Sequence, residues 1–403
     1  MAANLWGKVF YQDRFAGYLS QEPGNRYVFQ YDASYLNSDD APAIAYTLPL
    51  QTAPFINEAE LHPFFDNLVA EGWLRDAQAR AIGARKSDRF NLLLAFGADC
   101  IGAISIIDPK PTYEIQIDLN NAWEFAALAS HISLSGIQPK LGVVKTKEGF
   151  RPAKAGELST HIAKLPPGNI PHIMQNEYLT TLAYQALLKG DEVVQIELAP
   201  IQDVIEKSLI IKRFDRTDSL QKLPFEEFNQ LLGQPSEDKY RGNYEDMGKF
   251  MLATPACLKA EVDKLYRRIL ACILVGNTDA HLKNFSMFHR PEGLRLTPAY
   301  DIVASALYPE YQTLALGFNH AHNLQIGKLK PNALIQLGQT LNLPFGAIQL
   351  AVDDLHKQLI KAEEKIMGIA EISDELKHNL ITMMNKRWNG TFALIGPLLS
   401  KKP

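Results

Sequence analysis

A chain of 403 residues with 46% apolar content is long enough for two domains, or for one bilobal domain with an appended module, and can fill substantial cores. Its formal charge of −4 and pI of about 6.2 exclude a protein that holds nucleic acid by its overall field and leave only local basic patches for such work. Cys100, Cys257 and Cys272 are widely spaced in apolar stretches, which suits buried thiols rather than disulfides. MAANLWGKVFYQ has no signal-peptide pattern, and no window reaches the ~18 apolar residues of a spanning helix. A soluble cytoplasmic protein with no membrane partner is therefore expected.

In chain order, LWGKVFYQ, FAGYLSQ and YVFQYDASYL alternate between turn-prone residues and predict a small antiparallel sheet. Residues 60–98 turn helical, with one stripe of Leu61, Phe64, Phe65, Leu68 and Val69 and another of Phe90, Leu93, Leu94 and Phe96. Between them Arg80, Arg85, Lys86 and Arg89 form a basic patch that reads as a solvated helix end. CIGAISII is strand-like, and the proline-bearing DPKPTYEIQIDLNN places a domain boundary near residue 110. KLGVV, a TKEG turn, a second short strand and THIAKLP then predict the sheet of a small lobe. NEYLTTLAYQALLKG predicts a helix with Tyr178, Leu182 and Ala186 at spacing four, and SLIIKRFDR is a strand running into charge. Beyond residue 224 the pattern is mostly helical. The expected division is 1–110, 111–223 and 224–403.

The most informative stretch is GNTDAHLKNFSMF. It follows an amphipathic helix whose stripe is Leu258, Val262, Leu265, Ile269 and Ile273, and which Gly276 and Asn277 stop. Kinase phosphoryl transfer needs an aspartate to orient the attacking hydroxyl, and an asparagine and a second aspartate to hold magnesium on the phosphates. Asp279 and Asn284 have the catalytic-loop separation. FSMF, the turn HRPEG and LRLTP form a hairpin leading to Asp301, where the metal aspartate belongs. The pairing D-x-x-x-x-N is weak alone; helix, loop, hairpin and second acid in this order are specific, and capping and turn roles for the three are the competing explanation. Lys164 on the THIAKLP strand is a candidate phosphate lysine, and Glu177 starts the next helix. Neither G-x-G-x-x-G nor a Walker loop occurs; only SLSGIQPK precedes a lobe strand.

As a set these residues resemble the HipA family, serine/threonine kinase toxins of bacterial type II toxin–antitoxin modules. SLSGIQPK is similar to its phosphate loop, HIAKLP to its ATP-lysine strand, IIKRFDR to its hinge, GNTDAHLKN to its catalytic loop and PAYDIV to its metal aspartate. LHPFFDNLVAEG and GADCIGAI resemble its N-terminal domain. The resemblance implies an α+β, bilobal, protein-kinase-like fold with a small β-rich N-terminal domain and a mostly helical C-terminal lobe. It implies Asp279 as catalytic aspartate, Asn284 and Asp301 as Mg2+ ligands, and Lys164 on the ATP phosphates. Lys212 and Phe214 would meet the adenine through backbone atoms, with Asp215 near the ribose. Gly136, Gln138 and Lys140 of the loop, and Lys283, would be further nucleotide contacts. The family often has an acidic residue where Lys212 stands, so a side-chain role there is not carried over.

The resemblance further implies self-phosphorylation at Ser133, with Ser135 as a secondary site, and a protein substrate of the aminoacyl-tRNA synthetase class. It also implies a small helix-turn-helix antitoxin, HipB-like, that holds operator DNA. Two readings compete with the toxin kinase: a small-molecule kinase, in which GNTD would replace the usual His-Gly-Asp triplet, and a pseudokinase serving as a co-repressor scaffold. The joint presence of Lys164, Asp279, Asn284 and Asp301 weighs against the scaffold. His62 and His172 read as surface residues, and His281 as a stabiliser of the catalytic loop.

Overall fold

The computed structural model describes residues 5–111, 113, 115, 122–129, 133–134, 138–154 and 156–400. It separates into two compact units, one holding Met1–Ile170 and Gln195–Asp238, the other Pro171–Val194 and Lys239–Pro403. No helix among the described residues is long and apolar enough to cross a membrane.

The first unit begins with a five-stranded antiparallel sheet, in the order Phe55–Glu58, Arg26–Tyr31, Arg14–Glu22, Leu5–Tyr11, Ile104–Ile107. Alternation puts Val9, Tyr11, Leu19, Phe29 and Tyr31 on the buried face, where they meet Phe65, Phe90 and Leu93. The stripe Leu61 to Val69 is buried as expected, but only Pro63–Asp66 is helical. The Asn67 amide there donates to Pro63 O and Gln234 O, a side-chain bond that competes with helix continuation. Helices Gly72–Ala81 and Arg89–Phe96 follow.

The same unit contains a closed five-stranded barrel made by Lys140–Thr146, Gly149–Pro152, His161–Lys164, Ile196–Ile201 and Ile205–Lys212. Its first hairpin turns at the expected TKEG, where Gly149 takes φ +124 and Thr146 Oγ1 donates to Gly149 O at 3.1 Å. Leu141, Val143, Phe150, Ala163 and Ile210 are among its buried core residues. Sheet and barrel are joined by a buried charge network. Arg213 donates to Asp215 Oδ1 at 2.9 Å and Oδ2 at 2.7 Å, and to Asp99 Oδ2 at 3.1 Å. Arg216 donates to Asp99 Oδ1 at 2.6 Å and Asp215 Oδ2 at 2.8 Å. Cys100 O and Gly102 O accept further guanidinium bonds.

The second unit is mainly helical. Ile173–Leu187 packs along the long helix Phe345–Met367, and Lys259–Leu274 runs beside Tyr244–Ala253. Ile173–Leu187 buries Leu179, Leu182, Ala183, Tyr184 and Leu187, while Tyr178 and Ala186 are half-buried. A helix enclosed over so much of its circumference carries little periodicity, so spacing four identified only part of its core face. In Lys259–Leu274 the stripe Val262, Leu265, Ile269 and Ile273 is buried, whereas Leu258 is the exposed N-cap. The hairpin expected of FSMF and LRLTP forms from Ser286–Arg290 and Gly293–Leu296, pairing Met287 with Leu296 and Arg290 with Gly293.

Candidate active site

The second unit builds the catalytic-loop motif from the end of a helix. Val275 caps Lys259–Leu274, and Gly276 follows at φ +77. Its N–H donates to Ile273 O at 3.2 Å, and that of Asn277 to Cys272 O at 2.8 Å. These two bonds form a Schellman motif, which needs a residue tolerant of the left-handed region at position 276. A Cβ there would also lie 2.6 Å from Met383 Cε. The chain then turns through Thr278, whose N–H and hydroxyl are both held by Ser305 Oγ, at 2.8 and 2.7 Å. Asp279 emerges exposed, its N–H bonded to Asn277 Oδ1 at 3.1 Å.

One short helical turn, Leu282–Asn284, carries the rest of the loop. His281 caps it, accepting from Lys283 N at 3.3 Å, while the His281 N–H donates to Asn284 Oδ1 at 3.1 Å. The loop-stabilising role expected of His281 is what these bonds describe. Asn284 Nδ2 donates to Asp301 Oδ2 at 2.6 Å, so the hairpin does return the second acid to the loop. Asp301 is held at φ +58, a left-handed conformation uncommon for a residue with a side chain, and its carbonyl accepts from Asn277 Nδ2 at 3.3 Å. Neighbouring Tyr300 donates to Lys283 O at 2.7 Å, pinning both sides of the pair.

The pair fits a hard divalent cation. The Asn284 carbonyl oxygen accepts from His281 N while its amide nitrogen meets the Asp301 carboxylate, so an amide and a carboxylate, both oxygen-bearing groups of the kind such a cation takes, adjoin on the loop. No group of three or more His, Cys, Asp or Glu side chains among the described residues is arranged to hold a metal.

The first unit holds the remaining candidates. Lys164 and Lys140 are cross-strand partners on neighbouring barrel strands and both are buried, so two ammonium groups share one face. Gln138 Nε2 donates to Leu165 O at 2.9 Å, tying the end of the loop to the Lys164 strand. Ser133 is buried, with its hydroxyl on Leu68 O at 2.5 Å. Ser135 and Gly136 lie outside the described residues.

Two hinge residues have protein partners in the first unit. Asp215 points into the charge network, where it also accepts from Gly102 N at 2.8 Å. Burial alone would raise its carboxyl, but the Arg213 and Arg216 guanidiniums hold it well below the usual carboxylate range. The Lys212 N–H donates to Gln195 O at 2.9 Å, and its ammonium reaches Asp218 Oδ1 at 3.2 Å. Phe214 stacks at a tilt on Phe225, centroids 5.1 Å apart.

Elsewhere, His62 is not a surface residue: it caps Pro63–Asp66 by accepting from Phe64 N at 3.2 Å, and burial pulls its imidazole down to about 4. In the basic patch Arg80 pairs with Glu124, Lys86 with Asp76, and Arg89 with Asp66 and Glu237, as a solvated or structural face would. Sequence reasoning missed Tyr240, whose hydroxyl donates to Asp279 Oδ1 at 3.0 Å. It also missed Asp99 with Arg213 and Arg216; charges alternating through IIKRFDR after an apolar strand were a signal for that network.

A helix, catalytic loop, hairpin and second acid in one unit, with a lysine-bearing barrel in the other, define the α+β, kinase-like class. The chain belongs to the HipA family: residues 7–107 match the HipA N-terminal domain and residues 132–365 the HipA-like C-terminal domain. The serine/threonine-protein kinase toxin HipA of Shewanella oneidensis is 27% identical over 309 residues, 68% of this chain and 69% of that one. Y4mE of Sinorhizobium fredii is 26% identical over 334 residues, 75% of this chain and 78% of its own. A solved Shewanella oneidensis complex of HipA, HipB and operator DNA contains a chain that superposes with TM-score 0.77 at 22% identity, covering 96% of this chain and 99% of that one, which shows the shared fold.

Proposed function

We propose that this protein is an ATP- and Mg2+-dependent serine/threonine protein kinase acting as a growth-inhibiting toxin. The observation that carries the reading is the contact of Asn284 with Asp301, 2.6 Å apart, on the loop that presents Asp279 to solvent. Asp279 orients the acceptor hydroxyl and takes its proton as the oxygen bonds to the γ-phosphorus; the bond to the bridging oxygen breaks and ADP leaves with its electrons. Asn284 and Asp301 are the residues that would hold magnesium, and the ion would supply positive charge for the phosphates. Lys164, with Lys140 beside it, supplies positive charge for the phosphates, and Lys283, Gln138, Gly136 and the Lys212–Phe214 backbone are further nucleotide contacts.

Self-phosphorylation at Ser133, with Ser135 as second site, would switch the enzyme off. The burial of the Ser133 hydroxyl on Leu68 O supports a two-state loop, since a phosphate carrying about −1.5 to −2 charges cannot remain in that seat. The protein substrate is of the aminoacyl-tRNA synthetase class. By analogy with the Shewanella complex, a small helix-turn-helix antitoxin is the partner that brings this chain to operator DNA, and the net charge of −4 leaves most phosphate contacts to that antitoxin.

Titration calorimetry of ATP with and without magnesium tests the assignment. Asp301→Asn should abolish the magnesium-dependent gain in ATP affinity, whereas Asp279→Asn should keep it. Equal affinities for the two variants in magnesium would contradict these two roles.

A further inference from the structure

Asp279 is a short, exposed carboxylate on a loop, and a kinase aspartate must point in one direction to orient a hydroxyl. Tyr240 touches it directly. Its hydroxyl donates to Asp279 Oδ1 at 3.0 Å, and its ring stands edge-on to His281, centroids 5.0 Å apart and planes at 83°. The preceding residue is fastened to the same loop: Leu282 N donates to Lys239 O at 3.2 Å, and the Lys239 ammonium lies 5.4 Å from the Tyr240 ring centre. The phenol therefore reaches Asp279 from a base hydrogen-bonded to the same loop.

We propose that Tyr240 is a positioning residue for Asp279, holding Oδ1 so that the carboxylate keeps one orientation toward the acceptor hydroxyl. The inference rests on the proposed kinase activity. A phenol suits the task for two reasons. Its ring is rigid and packs on His281, the same residue whose backbone N–H holds Asn284, so Asp279 and Asn284 are both referenced to one residue. Its O–H has a single proton to donate, and giving it to Oδ1 restrains that oxygen. Tyr240 is itself exposed, so its ring also forms part of the surface an acceptor segment meets beside Asp279.

The test is phosphoryl transfer from ATP labelled at the γ-phosphate, to the chain itself and to casein, in the wild type, Tyr240→Phe and Tyr240→Ala. The Phe variant keeps the ring on His281 and loses only the hydroxyl. Its maximal transfer rate should fall about tenfold to a hundredfold, the range for a lost hydrogen bond to a charged group. The ATP concentration for half-maximal rate should stay within about twofold, because the lost bond acts on the acceptor side. Its melting temperature should match the wild type. Tyr240→Ala should lose at least as much rate. A Phe variant as fast as the wild type would overturn the positioning role while leaving the kinase reading intact, as would a parallel loss of ATP affinity and melting temperature in both variants. A wild-type chain that transfers no phosphate would overturn both.

Discussion

Replacing Asp215 by Asn is the sharpest perturbation of the first unit, because it deletes one charge and almost no volume. In the structure this carboxylate accepts two bonds from Arg213, one from Arg216 and one from Gly102 N, all between 2.7 and 2.9 Å. Both guanidiniums are at most 2% exposed, so water cannot take over the lost role. Asp215→Asn leaves two buried cations facing one remaining carboxylate, Asp99, and turns an amide N–H2 toward donors. Breaking a buried pair from one side costs about 3–5 kcal/mol, which is about 6–20 °C in melting temperature for a unit of this size. Scanning calorimetry at neutral pH measures it, and burial predicts that raising salt to about 1 M changes the loss little. The same network fixes a pH dependence. The folded Asp215 carboxyl titrates below its unfolded value, so its stabilisation is present above about pH 4 and is lost as pH falls through the folded value. A variant melting within about 2 °C of the wild type would show that the network does not carry this stability.

His62 and His161 are both pulled down to about 4 by burial, so the unfolded chain binds protons that the folded chain refuses between about pH 6.5 and 4. Stability should fall with acid across that window, and His62→Asn, which keeps a capping acceptor, should remove part of the slope in urea titrations followed by circular dichroism. Gly276→Ala places a Cβ in the left-handed region and 2.6 Å from Met383 Cε. It should cost about 1–2 kcal/mol or more and, by shifting the loop that follows, lower transfer rate more than ATP affinity, which steady-state kinetics would resolve.

The catalytic motif was legible because it is local: helix end, loop and hairpin lie within Lys259–Leu296, and glycine, turn residues and alternation each announce their own structure. The hairpin itself was legible from HRPEG between two apolar runs. What stayed hidden was long-range. Nothing near Asp215 in sequence reveals that Asp99 shares its two arginines, so a hinge carboxylate with a ligand role and one locked into a network look alike. Tyr240 precedes Asp279 by thirty-nine positions, and its phenol has no local pattern to betray it. His62 escapes a reading by sequence because one polar residue beside a proline looks exposed until its Nδ1 is seen to cap a helix.

The claim on which the rest depends is that Asp279 serves phosphoryl transfer and not merely the shape of a loop. Its direct test is a phosphoproteome of cells expressing the wild type against cells expressing Asp279→Asn, at matched protein levels and melting temperatures. Growth arrest and new phosphoserine or phosphothreonine on a translation protein, with phosphate on Ser133, are expected in the wild type alone. Equal arrest and identical phosphopeptides with both chains would contradict the claim.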